Sequence, residues 1–224
     1  LDKSLKRMGV DYVDLFYVHR RDHNIEIEEV TESLSKLVKK GKTKSIGYSE
    51  IAPSSLKRAS AIHHIAAVQS EYSLSTRAPE MGLVQACEEL DTALVAFSPV
   101  GRTFLTDSPL SYDFAQTLDF TKVNPRFKQP NYDKNIIISD NFRKYSRDLG
   151  IASATLSIAW LLAKSESIIP IPGTRSVKHL HELAAAMEVD VTDKMISEIE
   201  SILPLGWAYG DRYSDAQWIG PERY

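Results

Sequence analysis

Asp11-Tyr12-Val13-Asp14-Leu15-Phe16-Tyr17-Val18-His19-Arg20 is the stretch on which the fold reading turns. From Asp14 to His19 it reads as a short buried strand, because the apolar run is bounded by charge and too brief for a helix. His19 closes that run. In parallel α/β proteins ligands collect outside the carboxyl ends of the strands, so an imidazole delivered there is a candidate for chemistry. The alternative for a lone histidine is a partly buried ring satisfied by a backbone group.

Outward from this strand, helical and extended patterns alternate. Leu1, Leu5 and Met8 share a helical face, and Gly9 stops the helix. Glu28 to Lys40 is amphipathic, with Val30, Leu34, Leu37 and Val38 as its apolar stripe. Strands are expected at Thr43 to Ser49, Ala66 to Glu71 and Leu94 to Ser98. Helices from Pro53 to about Ile62 and from Glu80 to Leu90 separate them. Gly101 to about Asn135 breaks the rhythm, and a loop this long in a compact fold is usually functional. Helix Asn141 to Leu149, a helix capped by Ser153, strand Ser167 to Ile171 and helices capped by Ser176 and Thr192 follow. This alternation predicts βαβ units and a parallel sheet. Five strands are legible and no interdomain linker is, so residues 1–224 read as one α/β domain.

Composition narrows the class. The chain has 224 residues, 43% hydrophobic and 25% charged, with a net charge of −3. That balance argues against nucleic acid or an anionic membrane as a partner. Cys87 is the only cysteine, which excludes an intrachain disulfide and a cysteine metal cluster and fits a reducing, cytoplasmic compartment. No window approaches the ~18 consecutive apolar residues of a membrane span. The opening Leu1-Asp2-Lys3-Ser4 has no initiator Met and no apolar signal core.

Strand-end residues carry a more specific resemblance. Leu1-Asp2-x-Ser4-Leu5-x-Arg7-x-Gly9-Val10-Asp11-Tyr12-x-Asp14-Leu15, followed by His19, is similar to the aldo-keto reductase superfamily signature. So are, in the family's order, Gly47-Tyr48-Ser49-Glu50, Gln69-x-Glu71-Tyr72-Ser73, Phe97-Ser98-Pro99-x-Gly101, Asn124-Pro125-Arg126-Phe127 and Ile169-Pro170-Ile171-Pro172-Gly173-Thr174-Arg175. The resemblance implies a TIM (β/α)8 barrel, here strands 4 to 8 with their helices. It implies NADPH-dependent reduction of a small aldehyde or ketone, with NADH not excluded. Of the family's Asp, Tyr, Lys and His tetrad, only the substrate-orienting member matches here, as His19. Three further βα units of roughly 30 residues would complete such a barrel. The chain is therefore expected to be an N-terminally incomplete barrel domain, inactive by itself.

The resemblance also assigns cofactor contacts. Ser49 and Gln69 would hold the nicotinamide carboxamide, a hydroxyl and an amide supplying donor and acceptor. Phe97 would lie against the nicotinamide face. Ser98, Gly101 and Arg102 would meet the pyrophosphate. Gly173, Thr174, Arg175, Lys178, His179 and Glu182 would surround the adenosine and its 2′-phosphate, beside a helix N-terminus. Several have a plainer alternative: turn chemistry for Ser49 and Gln69, core packing for Phe97, a solvated loop for Ser98, Gly101 and Arg102. Glu50 and Leu183 stand where much of the family has Asn, and His179 where it has Arg. Glu50 replaces an amide with an acceptor-only carboxylate, and Leu183 cannot hydrogen-bond adenine, which leaves the choice between NADPH and NADH open.

Other features read as structural. Lys36, Lys39, Lys40 and Lys42 form a solvated helix end. His63 and His64 are a loop pair, and no metal site is expected. The aromatic tail, Trp207, Tyr209, Tyr213, Trp218 and Tyr224, either closes over substrate or packs on the barrel. An oligomer is among the expected assemblies. A non-catalytic nicotinamide-binding or interaction protein of the same fold is the rival reading.

Overall fold

The computed structural model describes residues 1–224. Five strands form one parallel sheet in the order β1 (Val13–Val18), β2 (Thr43–Ser49), β3 (Ala67–Glu71), β4 (Ala93–Phe97) and β5 (Ile168–Ile171). Neighbours in the sheet are neighbours in sequence, the commonest arrangement for βαβ connections. The registers Val18↔Tyr48 and Ser49↔Gln69 set the end of β1 one residue short of that of β2 and let β3 run two residues past it. Every expected strand forms, with ends shifted by at most one residue. No helix is long and apolar enough to cross a membrane. By internal packing the chain divides into two compact units: Leu1–Ser70, Pro79–Val95 and Gly220–Tyr224, and Glu71–Ala78 with Ala96–Ile219.

In the first unit, α1 (Asp2–Met8) ends on Gly9 in the left-handed conformation at φ 70°, as its glycine stop predicts. Helix α2 (Ile27–Lys39) buries Ile27, Thr31, Leu34 and Ser35. Of the expected stripe only Leu34 is fully buried; Val30, Leu37 and Val38 are half-buried. A hydrogen bond explains the rotation of the face. Thr31 Oγ1 donates to Ile27 O at 2.7 Å and lies 2.7 Å from the Tyr48 hydroxyl, which must then be the donor. Tyr48 is fully buried, so the inward threonine satisfies a phenol that apolar packing would have stranded.

Helix α3 (Pro53–Ser60) opens on Pro53 as expected. Helix α4 (Leu83–Glu89) is preceded by a 3₁₀ turn, Ala78–Met81, so the expected single helix is split at Gly82, where φ is 127°. Cys87 lies buried on α4, and burial pushes its thiol up to about 12, far from thiolate chemistry.

In the second unit the stretch after Gly101 is not structureless. It forms the short helix α5 (Tyr112–Thr117), three 3₁₀ turns and an aromatic core of Phe104, Phe127 and Tyr132. The Phe104 and Phe127 ring centroids are 4.7 Å apart, and the Tyr132 hydroxyl donates to Leu110 O at 2.6 Å.

Helix α6 (Asn131–Asp148) starts ten residues before the expected Asn141. Its first half carries Asn, Asp and three consecutive isoleucines, weak helix formers by local preference. Tertiary contacts override them: buried Asn135 donates to Arg126 O and Tyr209 O and accepts from Tyr209 N.

Ser153 does not cap α7 (Ser153–Leu162) but is its first helical residue. The Asp107 carboxylate accepts from its backbone N–H at 3.2 Å and its hydroxyl at 2.6 Å, capping the helix from 46 residues away. Helices α8 (Val177–Ala184) and α9 (Asp193–Ile202) are capped by Ser176 and Thr192 as expected.

Gly47 is where β2 has least room. A Cβ there would lie 2.7 Å from both Ala67 O and the Tyr17 ring. Gly47→Ala is expected to lower stability by about 1–3 kcal/mol through overpacking, read as a lower urea midpoint at unchanged slope. An unchanged midpoint would contradict this packing.

Candidate functional site

Parallel register brings three of the expected residues together in the first unit. His19 is the residue after β1 and is exposed. Ser49 is the last residue of β2 and is buried. Gln69 pairs with Ser49 in register, although β3 continues two residues beyond it to Glu71. An imidazole just past β1 thus neighbours a hydroxyl on β2 and a side-chain amide on β3.

Backbone strain and a buried carboxylate shape the turn after Ser49. Glu50 has φ 57°, and its N–H donates to Gln69 O at 2.8 Å. Its carboxylate is turned inward, 1% exposed, and accepts from Ser70 Oγ at 3.3 Å. A residue so placed holds the turn after β2.

Sequence reading passed over three neighbours. Arg20 Nη1 donates to His19 O at 2.9 Å and to Ser49 Oγ at 2.8 Å. Arg21 Nε is ion-paired with Glu222. The Glu222 carboxylate also accepts from Ala52 N at 2.7 Å, while its own N–H donates to Glu50 O at 2.8 Å. Burial alone would raise the Glu222 carboxyl. Hydrogen bonds from Ser55, the Ala52 N–H and Arg21 outweigh it and hold the group below its ordinary range. Residues 220–224 are thereby strapped to the turn that follows β2. Arg21 and Glu222 are 201 residues apart, so no local pattern announces the pair.

The second unit gathers the remaining candidates at two places. Phe97 ends β4 and, with Ser98, Arg102, Phe120 and Tyr213, lines a cavity of about 360 Å³. The Arg102 guanidinium lies 4.5 Å from the Phe120 ring centre and 5.2 Å from that of Tyr213. It donates to Glu71 and to Arg212 O. Glu71 is fully buried, and Arg126 and Arg212 also approach it, at 3.8 and 3.6 Å. Burial, with Arg102 and Arg212 nearby, pulls the Arg126 guanidinium down to about 10 against the attraction of Glu71. Arg102 therefore belongs to a buried ion cluster, a role its loop position did not suggest. Gly101, at φ 57°, has no room for a side chain: a Cβ would lie 2.8 Å from Ser75 Oγ.

The other place is the start of α8. Gly173, Thr174, Lys178, His179 and Glu182 line a cleft of about 170 Å³, closed partly by Asp107 and Leu183. Thr174 Oγ1 accepts from Ser176 N at 3.1 Å, and Lys178 stands 3.7 Å from Glu182. Arg175 is exposed and lies outside this lining. A lysine, a hydroxyl and a helix N-terminus favour an anion here, and Leu183 and Val100 offer an apolar wall. No group of three or more His, Cys, Asp or Glu side chains is arranged to hold a metal.

Comparison with known proteins agrees with these motifs. The profile of the aldo/keto reductase family matches residues 1–204. The chain is 39% identical over 216 residues to "Aldo-keto reductase yakc [NADP(+)]" of Schizosaccharomyces pombe, covering 95% of this chain and 64% of that protein. It is 40% identical over 212 residues to "Probable aldo-keto reductase 1" of Glycine max, covering 95% and 61%. Among solved structures, a glycerol dehydrogenase of Gluconobacter oxydans superposes with a TM-score of 0.77 at 24% identity, covering 90% of this chain and 62% of that one. A thermostable aldo-keto reductase determined with the inhibitor epalrestat gives 0.68 at 25% identity, covering 90% and 64%. The chain thus spans less than two thirds of the length of each.

The strap makes a pH-dependent expectation. Because the folded Glu222 carboxyl titrates below its ordinary range, its stabilisation is present above the unfolded carboxyl's pKa of about 4.3 and is lost as pH falls through the folded value. Glu222→Gln is expected to cost about 1.5–3 kcal/mol at pH 7, the scale of hydrogen bonds to a charged group, with the gap to the unsubstituted protein closing on acidification. Denaturant titrations at pH 7 and at lower pH read this directly. A gap that widens on acidification would contradict the assignment.

Proposed function

This chain belongs to the aldo/keto reductase family, and from that premise we propose that the protein carrying it reduces small aldehydes or ketones to alcohols with NADPH. The observation that carries the reading is that His19 directly follows β1 while Ser49 and Gln69 pair in register on β2 and β3, the next two parallel strands. When bound, a nicotinamide cofactor supplies the hydride. The residues fit that group: Ser49 and Gln69 offer the donor and acceptor that a carboxamide requires, on a rigid frame. Lys178, Thr174 and the α8 N-terminus offer positive potential to a phosphate, with Arg175 just ahead of them. Phe97 offers an aromatic face suited to a planar ring.

His19 performs the step nearest the chemistry. Its ring N–H donates to the carbonyl oxygen of the substrate and holds it as negative charge develops there. Exposure at the strand end leaves the ring accessible to a small ligand. Proton delivery to the alkoxide is not assigned to a residue of this chain. Glu182 and Asp107 place negative charge in the same cleft as Lys178, so the preference for a 2′-phosphate rests mainly on Lys178 and Thr174.

His19→Ala in the full-length protein is expected to lower kcat by about 10²–10³-fold while leaving the NADPH dissociation constant within a factor of about two. Lys178→Ala is expected to weaken NADPH about tenfold and NADH little. Steady-state kinetics and cofactor fluorescence titrations measure both. Full activity of the His19 variant would overturn its role. Tight NADPH binding without turnover of any carbonyl substrate would favour the non-catalytic binding protein instead.

A further inference from the structure

Arg20 is absent from the strand-end pattern, yet its side chain joins two of that pattern's members. One nitrogen, Nη1, donates to His19 O at 2.9 Å and to Ser49 Oγ at 2.8 Å. A guanidinium has five donors and no acceptor. With Arg20 occupying a lone pair on Ser49 Oγ, the single hydroxyl proton of Ser49 cannot be spent on Arg20 and must point elsewhere. The neighbouring positive charge also polarises that O–H and makes it a better donor.

The position of Arg20 is itself enforced. Gly220, at φ 99°, packs against its aliphatic stem so closely that a Cβ there would lie 2.9 Å from Arg20 Cβ and 3.2 Å from Cγ. Gly220 O is held by His23 Nε2 at 3.1 Å, and two residues on, Glu222 anchors to Arg21 and to the Ala52 N–H. Glu222 N also donates to Glu50 O, the carbonyl next after Ser49. The C-terminal segment thus fixes the arginine and the turn that presents the serine. A long side chain immobilised before binding adds little entropy cost when the ligand arrives.

We propose that Arg20 is a positioning residue that sets Ser49 as a hydrogen-bond donor to a ligand amide carbonyl. Gln69 is then left to accept, through Oε1, from the amide nitrogen. The pair so polarised selects a primary carboxamide in one orientation, which deepens and rests on the nicotinamide reading proposed above. Arg20 itself does not touch the ligand.

The test uses the full-length protein with Arg20→Met, Arg20→Lys, Ser49→Ala and the double variant Arg20→Met/Ser49→Ala. NADPH is the main probe. 2′,5′-ADP, which lacks nicotinamide, reports whether each variant is folded, and thionicotinamide-NADP⁺ replaces the carbonyl oxygen with a poorer acceptor. Arg20→Met is expected to weaken NADPH about tenfold, the scale of a lost hydrogen bond to a charged group, with 2′,5′-ADP unchanged. Arg20→Lys should recover part of that loss. The double variant should bind within about twofold of Ser49→Ala, because Arg20 acts through the serine. The loss on Arg20→Met should shrink to under about threefold for the thionicotinamide probe.

Unchanged NADPH affinity in Arg20→Met, or additive losses in the double variant, would overturn the role of Arg20 while leaving the nicotinamide site standing. A parallel loss of 2′,5′-ADP affinity in Arg20→Met and Arg20→Lys would show a merely structural arginine and overturn it too. Failure of the unsubstituted protein to bind NADPH more tightly than 2′,5′-ADP would overturn the nicotinamide reading and the proposal together.

Discussion

Parallel, in-register pairing of β1, β2 and β3 is the constraint on which the candidate site depends. Each strand alone delivers one polar side chain to one end. Only the registers Val18↔Tyr48 and Ser49↔Gln69 put those side chains next to one another. A slip of one residue would turn each strand's side chains to the opposite face. Packing guards against that slip. Gly47 admits the Tyr17 ring and Ala67 O where no larger residue fits, and buried Tyr48 is tied through Thr31 to α2. The features that fix register are thus one and two residues from Ser49.

Buried carboxylates do the second part of the work, each within its own unit. Glu222 gathers Arg21 and the backbone beyond Ser49, and Glu71 gathers Arg102, with Arg126 and Arg212 close by. A charge removed from water is tolerated only when it is paired and hydrogen-bonded. Each cluster therefore fixes loops that apolar contacts alone would leave adjustable. In the second unit the exposed Asp107 acts through hydrogen bonding rather than burial: its carboxylate caps α7 and also borders the cleft at the start of α8. Placement of ligand-facing residues and stability of the loops are coupled through these few groups.

Much of this was legible locally. Hydrophobic period, glycine stops and the Ser176 and Thr192 caps act over a turn or two of chain, and they located every strand and most helices. Strand ends were legible because a strand's direction decides which residue reaches its carboxyl end. The misses share a physical cause. Helix α6 begins at Asn131 because Asn135 is satisfied by distant carbonyls, against the weak propensity of its own residues. Helix α7 is capped by Asp107 rather than by Ser153. Arg102, read from sequence as a loop residue near a pyrophosphate, is also engaged by Glu71, a contact no local pattern announces.

By itself, then, the sequence determined the parallel α/β class, the family motifs and the identity of His19, Ser49 and Gln69 as strand-borne candidates. The class follows from short-range periodicity, which also puts these residues at or near strand ends; their candidacy is what the resemblance of the motifs to the family implies. The tertiary structure decided which charges are buried together, which way Glu50 turns, and that Arg20 links His19 to Ser49 beneath a C-terminal strap. Those depend on contacts between residues 20 to 201 positions apart. Such contacts form only once burial has made an unpaired charge or an unsatisfied donor costly, and that cost has no signature in local sequence.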